Sequence, residues 1–301
     1  MLVVYLCYRK WGNSLFKLNF KIIIPVFCGL ILFCASLRVI SNPSVLAVDD
    51  SSGSFPIIMY HHISADESKV GDYVITPKQF EADLKYLKER GYESITVREL
   101  YAIDNGERNL KPKSIMITFD DGQESFFEYA FPLLQKYGFS AVFSPVGKYT
   151  EMFSNSDGHN IEYSHITWDQ MRKLANSGIV EFGNHSYDMH YSNSKGRKGV
   201  TQNKNESFEE YRKALLDDIN EYNALFYKHM DFTPTIYTYP FGRVSENTET
   251  IIKEAGFTAA FTCYEKRTVP NENDNWLFNL GRFNRSGKKS TENFFKSISV
   301  Y

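Results

Sequence analysis

The sequence has 301 residues, of which 34 are lysine or arginine and 36 are aspartate or glutamate, so that its net charge is −2. With 43% hydrophobic and 16% aromatic residues, the chain is too apolar to be disordered over its whole length. The charge balance also argues against a nucleic-acid-binding protein, which needs basic side chains to neutralise phosphates. The length fits one or two domains, and a single α/β barrel reaches about 250 residues.

The charge is divided unevenly along the chain. Residues 1–47 contain five basic residues and no acidic residue, so this segment carries +5 and the rest of the chain carries −7. An uncharged apolar stretch occupies residues 22–37, and four of the five basic residues precede it. Because basic flanks remain on the cytoplasmic side of a membrane, this pattern predicts a cytoplasmic N-terminus and an extracytoplasmic body.

Three interpretations of the N-terminal segment remain open. Residues 22–40 could form a membrane anchor, although the uncharged run is shorter than the roughly 20 residues of a full span. Alternatively, Val45-Leu46-Ala47 resembles a small-residue cleavage site, which indicates a secreted protein cut near Ala47. A buried core helix is a third, less favoured reading, because the basic flank lies on one side only. We therefore divide the chain into a leader (1–47), a linker (48–54) and a folded body (55–301).

In the body, predicted strands and helices alternate. The predicted strands are Pro56–Tyr60, Ser94–Val97, Ser114–Phe119, Ser140–Ser144, Val180–Gly183, Thr235–Tyr239, Phe257–Thr262 and Leu277–Arg282. The predicted helices begin near Pro77, Ser125, Trp168, Phe208, Glu246 and Thr291, and capping boxes start at Thr76, Thr167 and Ser207. Strands that alternate with helices form parallel βαβ units. The sequence thus predicts an α/β fold, an irregular (β/α) barrel of seven or eight parallel strands.

Unusual side chains follow four of these strands. They are His61-His62 after the first strand, Asp120-Asp121-Gly122 after Ser114–Phe119, His185 and His190 after Val180–Gly183, and Pro240-Phe241-Gly242 after Thr235–Tyr239. In a parallel barrel the carboxyl ends of the strands meet on one face, where catalytic groups gather. The sequence therefore predicts that these side chains lie together.

Each of these groups, taken alone, also has an ordinary explanation. Asp-Asp-Gly is often a turn or a helix cap, Tyr-Pro-Phe-Gly is often a turn, and the two histidines could be unrelated loop residues. Together, however, two imidazoles and a carboxylate match the three protein ligands of a catalytic zinc site. An adjacent second carboxylate can act as a base toward water, and a metal with a base indicates hydrolysis of an unactivated carbonyl.

The same residues resemble the polysaccharide deacetylase family, also called the NodB-homology domain or carbohydrate esterase family 4. The similar segments are Met59–Ile63, Thr118–Gly122, Thr167–Gln170, His185–His190 and Tyr239–Gly242. The spacing of the histidines and the Tyr-Pro-Phe-Gly segment resemble the poly-N-acetylglucosamine deacetylase branch. The resemblance extends from about Phe55 to Phe295 and implies an irregular (β/α) barrel for the whole body.

The resemblance also implies roles for individual residues. Asp121, His185 and His190 correspond to the ligands of a divalent metal, with Zn²⁺ preferred, and Asp120 corresponds to the general base. The backbone N–H of Phe241 corresponds to an oxyanion donor. The side chains expected to offer apolar surface to a sugar ring are Tyr239, Phe241 and Trp168.

Two departures from the family pattern concern the remaining catalytic groups. The family often has an arginine in its third motif that orients the base, and Thr235–Tyr239 contains none, so Arg282 is the candidate substitute. The family's usual acid histidine is also missing, because no histidine follows His229. His61 is the candidate proton donor, and a structural role for it is an equal alternative.

The resemblance implies a metal-dependent hydrolase that removes N-acetyl groups from an N-acetylglucosamine-containing polysaccharide, with a poly-β-1,6-linked polymer favoured. Peptidoglycan and O-acetylated xylan are alternative substrates, and a non-catalytic carbohydrate-binding protein is the alternative of another class. The expected partners are an acetylated polysaccharide and, through the leader, a membrane. We expect no nucleic-acid partner and a monomeric protein.

Overall fold

The structure of the protein is a computed structural model that describes residues 53–192 and 197–301. The predicted leader (1–47) and most of the predicted linker (48–54) lie outside the described residues, so the predictions about them stay predictions. Within the part of the chain that is described, no helix combines the length and the apolar character needed to cross a membrane.

Parallel strands form the centre of the fold. The strands are β1 (Ile57–Tyr60), β2 (His62–Ile63), β3 (Val74–Ile75), β4 (Glu93–Ser94), β5 (Ser114–Phe119), β6 (Ala141–Phe143), β7 (Val180–Asn184), β8 (Ile236–Thr238), β9 (Ala259–Phe261) and β10 (Phe283–Asn284). The main sheet has the order β10-β1-β5-β6-β7-β8-β9, with β4 paired to β5, and β2 pairs with β3 in a separate two-stranded sheet. Every one of these pairings is parallel.

Helices lie between the strands along the chain, and the last helix follows β10. They are α1 (Pro77–Glu89), α2 (Val97–Asp104), α3 (Phe131–Tyr137), α4 (Gly147–Ser154), α5 (Trp168–Asn176), α6 (Phe208–Met230), α7 (Thr248–Glu254) and α8 (Thr291–Ser297). The predicted capping boxes at Thr76, Thr167 and Ser207 are confirmed, since each side chain accepts a hydrogen bond from the N3 backbone N–H.

The segment before β10 brings the two ends of the main sheet together. Leu280 forms a parallel bridge with Phe261 of β9, and Phe283 pairs with Ile58 of β1. The sheet therefore curls into an irregular (β/α) barrel, as the sequence predicts. The predicted strand Leu277–Arg282 is wrong in its bounds, because a 3₁₀ turn occupies Trp276–Phe278 and the strand itself begins at Phe283.

Two other local predictions are corrected by the structure. The predicted strand Ser94–Val97 ends at Ser94, because the side chain of Thr96 caps a helix that starts at Val97. The predicted helix from Ser125 begins as a π-helical turn over Phe126–Ala130 before it becomes α3. In both places local capping or packing outweighs the simple periodicity of apolar residues.

Buried apolar side chains cover both faces of the central strands, and all six residues of β5 are buried. Full burial of one large apolar side chain stabilises the fold by about 1.5–3 kcal/mol. A buried ion pair between Asp83 of α1 and Arg285 links the first helix to the segment after β10. These contacts hold the strand ends, and hence the loops that follow them, in fixed positions.

Candidate active site and metal centre

The carboxyl ends of the barrel strands surround a cavity of about 650 Å³. Among the residues that line it are His61, Asp120, Asp121, His185, His190 and Phe241. The structure thus brings together side chains from four separate strand ends, as expected for a parallel barrel. Another cavity, of about 520 Å³, lies at the amino ends of β7 and β8, and no histidine lines it among the described residues.

Asp121, His185 and His190 converge on one point of the cavity. The Oδ1 atom of Asp121 lies 3.4 Å from Nε2 of His185 and 3.2 Å from Nε2 of His190. The three candidate ligand atoms all lie within 4.8 Å of one another. Two ligand atoms bound at about 2.0–2.1 Å to a tetrahedral Zn²⁺ are roughly 3.3 Å apart, so the residues present fit a divalent cation.

A backbone carbonyl orients the first of these histidines. Nδ1 of His185 lies 2.8 Å from the carbonyl oxygen of Thr238, and the side chain is only 2% exposed. Because a carbonyl oxygen can only accept, Nδ1 must carry a proton, and Nε2 is the ring nitrogen that faces Asp121. This type of contact fixes the tautomer that a metal ligand requires.

A sharp turn separates the roles of the two adjacent aspartates. Asp121 and Gly122 have φ angles of 68° and 79°, in the left-handed region. A Cβ atom at Gly122 would lie 2.7 Å from the Cβ of Pro145, so only glycine fits there. The turn allows Asp121 to face the two histidines while Asp120 faces Arg282.

Asp120 is held by a buried arginine. Nη1 and Nη2 of Arg282 donate to Oδ1 and Oδ2 of Asp120, each at 2.7 Å, and Arg282 is fully buried. Nε of Arg282 donates to the carbonyl of Thr262 at 3.0 Å, and Nη1 also reaches Oγ1 of Thr118 at 3.2 Å. The guanidinium group is therefore fixed on three sides.

The electrostatic surroundings keep both aspartates ionised. Burial alone would raise the pKa of Asp120, but the charges of Arg282 and His185 bring that pKa below its usual value. Burial also opposes ionisation of Asp121, yet its contacts with His185 and His190 hold the pKa well below the usual range. Ionised carboxylates are the form that a base and a cation ligand both require.

His61 lines the cavity beside these carboxylates. Its Nδ1 atom is buried and has no hydrogen-bond partner among the described residues. Burial lowers the pKa of His61, and the neighbouring Asp121 and Asp120 only partly oppose this effect. The imidazole is therefore neutral at neutral pH and can accept a proton from a group in the cavity.

The three predicted sugar-binding side chains have different positions. Phe241 lines the cavity, is 38% exposed, and its ring lies 4.5 Å from that of His190.

The other two side chains are buried. Tyr239 is 2% exposed and packs against Tyr237 in the core. Trp168 is 3% exposed and stacks on His229. The expectation that Tyr239 and Trp168 contact a sugar ring is thus corrected, because both side chains are used by the core.

The structure adds cavity residues that sequence reasoning missed. They include Tyr73, Lys198, Arg243 and Glu265, which lie on loops far apart in the chain. Tyr73 is 60% exposed, and its ring lies 4.9 Å from that of His61. No motif marks these positions, so only the spatial convergence of the loops reveals them.

A buried carboxylate paired with arginine, next to an Asp-His-His cluster at the carboxyl end of a parallel barrel, has the composition of a hydrolytic centre. The sequence profile of the family described as "Polysaccharide deacetylase" matches residues 107–260. The match covers half of the chain, so the protein belongs to the polysaccharide deacetylase family. It is accordingly a deacetylase of the hydrolase class.

Individual proteins resemble the chain over much of its length. It is 28% identical over 220 residues to a poly-beta-1,6-N-acetyl-D-glucosamine N-deacetylase of Staphylococcus aureus (strain MRSA252), covering 73% of this chain and 70% of the relative. It is also 30% identical over 213 residues to YxkH of Bacillus subtilis (strain 168), whose name places it in the same family. This match covers 71% of this chain and 66% of the relative.

A solved structure shares the fold. The de-N-acetylase from Aggregatibacter actinomycetemcomitans superposes with a TM-score of 0.68 at 22% identity, over 79% of this chain and 97% of that one. At this identity the similarity establishes the common barrel, and the roles of individual side chains rest on the site geometry.

Proposed function

We propose that the protein is a metal-dependent N-deacetylase of poly-β-1,6-linked N-acetylglucosamine. The observation that carries this proposal is the Asp121-His185-His190 cluster directly beside the Asp120–Arg282 pair. The name of the Staphylococcus aureus relative supports the choice of polymer. The predicted Zn²⁺ is supported by the separations of the three ligand atoms.

Asp121, His185 and His190 would hold the cation. A divalent cation in this position polarises an amide carbonyl and lowers the pKa of a water molecule. Asp121 supplies the negative charge of the ligand set, and His185 is oriented by the carbonyl oxygen of Thr238. The contact of His190 with the Phe241 ring supports the second imidazole from the other side.

The remaining groups of the cavity move protons and stabilise charge. A carboxylate oxygen of Asp120 accepts the proton of the attacking water, while Arg282 keeps the carboxylate in place. The backbone N–H of Phe241 is the proposed donor to the carbonyl oxygen of the acetamide. His61, neutral at rest, would take up the proton that Asp120 has removed from the water and deliver it from a ring nitrogen to the leaving amine, which returns Asp120 to its ionised form.

The rim of the cavity supports a carbohydrate substrate. Tyr73 and Phe241 are both substantially exposed on its walls, and aromatic faces provide apolar surface for the C–H groups of a sugar ring. Peptidoglycan and O-acetylated xylan remain alternative substrates with the same acetyl chemistry. Membership in the family supports an enzyme over a non-catalytic carbohydrate-binding protein.

An acetate-release assay tests this function. The purified protein is incubated with acetylated β-1,6- and β-1,4-linked glucosamine oligomers, peptidoglycan and acetylated xylan, with and without added Zn²⁺. We expect the highest kcat/KM on the β-1,6 oligomer and loss of activity after chelation. Preference for peptidoglycan would reject the proposed polymer, and full activity in excess chelator would reject the metal.

We further propose an extracytoplasmic monomer, either anchored by residues 22–40 or released after cleavage near Ala47. The one-sided basic charge of residues 1–47 supports this location. Fractionation of cells that express the full chain, followed by mass spectrometry of the mature N-terminus, separates the anchored form from the secreted form. A cytosolic fraction with an intact N-terminus would reject both locations. Light scattering measures the molar mass in solution and thereby tests whether the protein is a monomer.

A further inference from the structure

A buried carboxylate on α6 binds the loop between the two histidines of the cluster. Oδ2 of Asp218 accepts a hydrogen bond of 2.8 Å from the backbone N–H of Tyr187, and Oδ1 accepts one of 2.7 Å from that of Asp188. Asp218 is only 8% exposed. Both oxygens of one carboxylate are therefore used to hold two consecutive residues of the loop.

The loop itself has an unusual backbone that needs such support. Ser186 has a φ angle of 70°, and its N–H donates to Oδ1 of Asn184 at 2.8 Å. The N–H of Met189 donates to Oγ of Ser186 at 3.2 Å. These local bonds shape the turn after His185, whereas Asp218 ties the next two residues to a long helix that is part of the barrel wall.

We propose that Asp218 is a positioning residue that places His190 for metal binding, an inference that rests on the proposed metal-dependent function. His185 is anchored independently by the carbonyl oxygen of Thr238. His190 lies two residues after Asp188, so the position of its imidazole depends on the backbone that Asp218 holds. Lys148 also contacts this loop, since its N–H donates to the carbonyl of Tyr187 at 3.0 Å and its Nζ donates to Oδ2 of Asp188 at 2.8 Å. Loss of the two hydrogen bonds to Asp218 therefore loosens the loop on the His190 side without releasing it, while the His185 side stays in place.

A carboxylate suits this position better than an amide does. Both loop groups are N–H donors, so both side-chain atoms that meet them must be acceptors. In Asp218→Asn one of the two positions would be an NH₂ group, which would face an N–H and repel it. The substitution therefore removes one hydrogen bond and disturbs the other with almost no change in side-chain volume.

The neighbouring residue is a matched control. Asp217 lies on the same helix, its side chain is 62% exposed, and it forms an ion pair of 2.5 Å with Lys213. Asp217→Asn makes the same chemical change on the outer face of α6. Any effect of the altered charge of the helix alone would appear in both variants.

The test measures Zn²⁺ affinity by competition with a chromogenic chelator, on full-length wild type, D218N and D217N. Thermal unfolding of the metal-free proteins accompanies each titration. We expect the Kd of D218N for Zn²⁺ to rise by about 10–100-fold, the usual effect of losing an outer partner of a ligand, with D217N unchanged. Wild-type affinity in a folded D218N protein would overturn this inference and leave the proposed function intact.

A second pair of variants covers the case in which D218N does not fold. D218E and D218Q have equal length, and only D218E offers two acceptors. We expect D218E to bind Zn²⁺ at least 10-fold more tightly than D218Q, and equal affinities would overturn the inference. Absence of Zn²⁺ binding by the wild type would overturn this inference together with the metal dependence of the proposed function.

Discussion

Arg282 donates one hydrogen bond of 2.7 Å to each carboxylate oxygen of Asp120, although 162 residues separate the two in the chain. Both side chains are buried, so neither charge is stabilised by bulk water. A planar guanidinium group that meets a carboxylate in this way restricts both its position and its ionisation. The pair thus holds an ionised carboxylate at the edge of the Asp121-His185-His190 cluster. Substitutions of Asp120 and of Arg282 should therefore have different effects.

Asp120→Asn should abolish turnover without loss of the metal. The amide has nearly the same shape as the carboxylate but cannot take up a proton from water, so acetate release should fall by about 10²–10⁴-fold, the usual contribution of a general base. Zn²⁺ content, measured by atomic emission, should remain at the wild-type level. Retained activity would show that another group is the base.

Replacement of Arg282 should affect activity and stability in different ways. Arg282→Lys keeps a positive charge but cannot form two parallel hydrogen bonds, so we expect kcat to fall by about 100-fold. Arg282→Met leaves Asp120 buried without a partner and should lower the free energy of unfolding by about 3–5 kcal/mol. Steady-state kinetics and urea unfolding measure the two effects.

Arg212→Lys is the control for these variants, because Arg212 pairs with Glu254 on the surface. It should change kcat by less than about twofold. Wild-type activity in Arg282→Lys would mean that the orientation of the Asp120 carboxylate is unimportant for the reaction.

His185→Ala should remove metal binding. His185 supplies one of three candidate ligand atoms from a fully buried position, and two remaining ligands hold a divalent cation poorly. We expect the Kd for Zn²⁺, measured by chelator competition, to rise by at least about 100-fold. His159→Ala is the control, since His159 is 43% exposed and contacts Glu124 outside the cluster. Equal affinities in the two variants would remove His185 from the ligand set.

Asp218 should make stability depend on pH in a specific window. Burial raises the pKa of Asp218 from 3.8 to about 6, so the folded state binds a proton more tightly than the unfolded state does. The corresponding stabilisation is complete below the unfolded-state pKa and is lost as the pH rises through about 6. The stability of wild type relative to D218N should therefore decrease by about 2 kcal/mol between pH 4.5 and 7.5.

Urea unfolding in EDTA measures this difference, because it removes any contribution from bound metal. A wild-type minus D218N difference that does not change with pH would mean that Asp218 keeps an ordinary pKa in the folded protein.

Asp83 and Arg285 form a buried ion pair, so their substitutions should have non-additive effects on the free energy of unfolding. Nε and Nη2 of Arg285 donate to the two carboxylate oxygens at 2.7 and 3.0 Å, and Thr291 and Tyr60 donate to the same carboxylate. Arg285→Met should cost about 3–5 kcal/mol, because Asp83 then remains buried and unpaired. Asp83→Asn combined with Arg285→Met should recover at least about 1 kcal/mol of that loss in urea unfolding. Strictly additive effects would show that the two charges do not interact.

Much of the candidate site was predictable because its residues fall into two short motifs, each of which directly follows a predicted strand. Asp120 and Asp121 directly follow an apolar strand, and His185 and His190 share one loop after another strand. Strand ends in a parallel barrel meet on one face, so short motifs and general topology were sufficient to place these four residues together. The alternation of predicted strands and helices was likewise sufficient to predict an α/β barrel.

The errors in the sequence-based analysis arose where burial decides the role of a side chain. Trp168 and Tyr239 lie in segments that resemble the family, yet both rings are buried in the core and neither lines the cavity. The strand predicted at Leu277–Arg282 was wrong in its bounds because a 3₁₀ turn occupies Trp276–Phe278, and the segment pairs with β9 at Leu280 before it pairs with β1 from Phe283. Neither fact is encoded in a local window of residues.

The sequence by itself determined the barrel class, the aspartate pair, the histidine spacing and the division of charge between residues 1–47 and the rest of the chain. These properties depend on the periodicity and on the order of neighbouring residues. The family resemblance made Arg282 a candidate partner of Asp120, but only the tertiary structure showed the two hydrogen bonds between them, Asp218 beneath the histidine loop, and Tyr73 and Lys198 at the cavity. Such contacts join residues far apart in the chain, and they exist only where barrel closure brings the distant segments together.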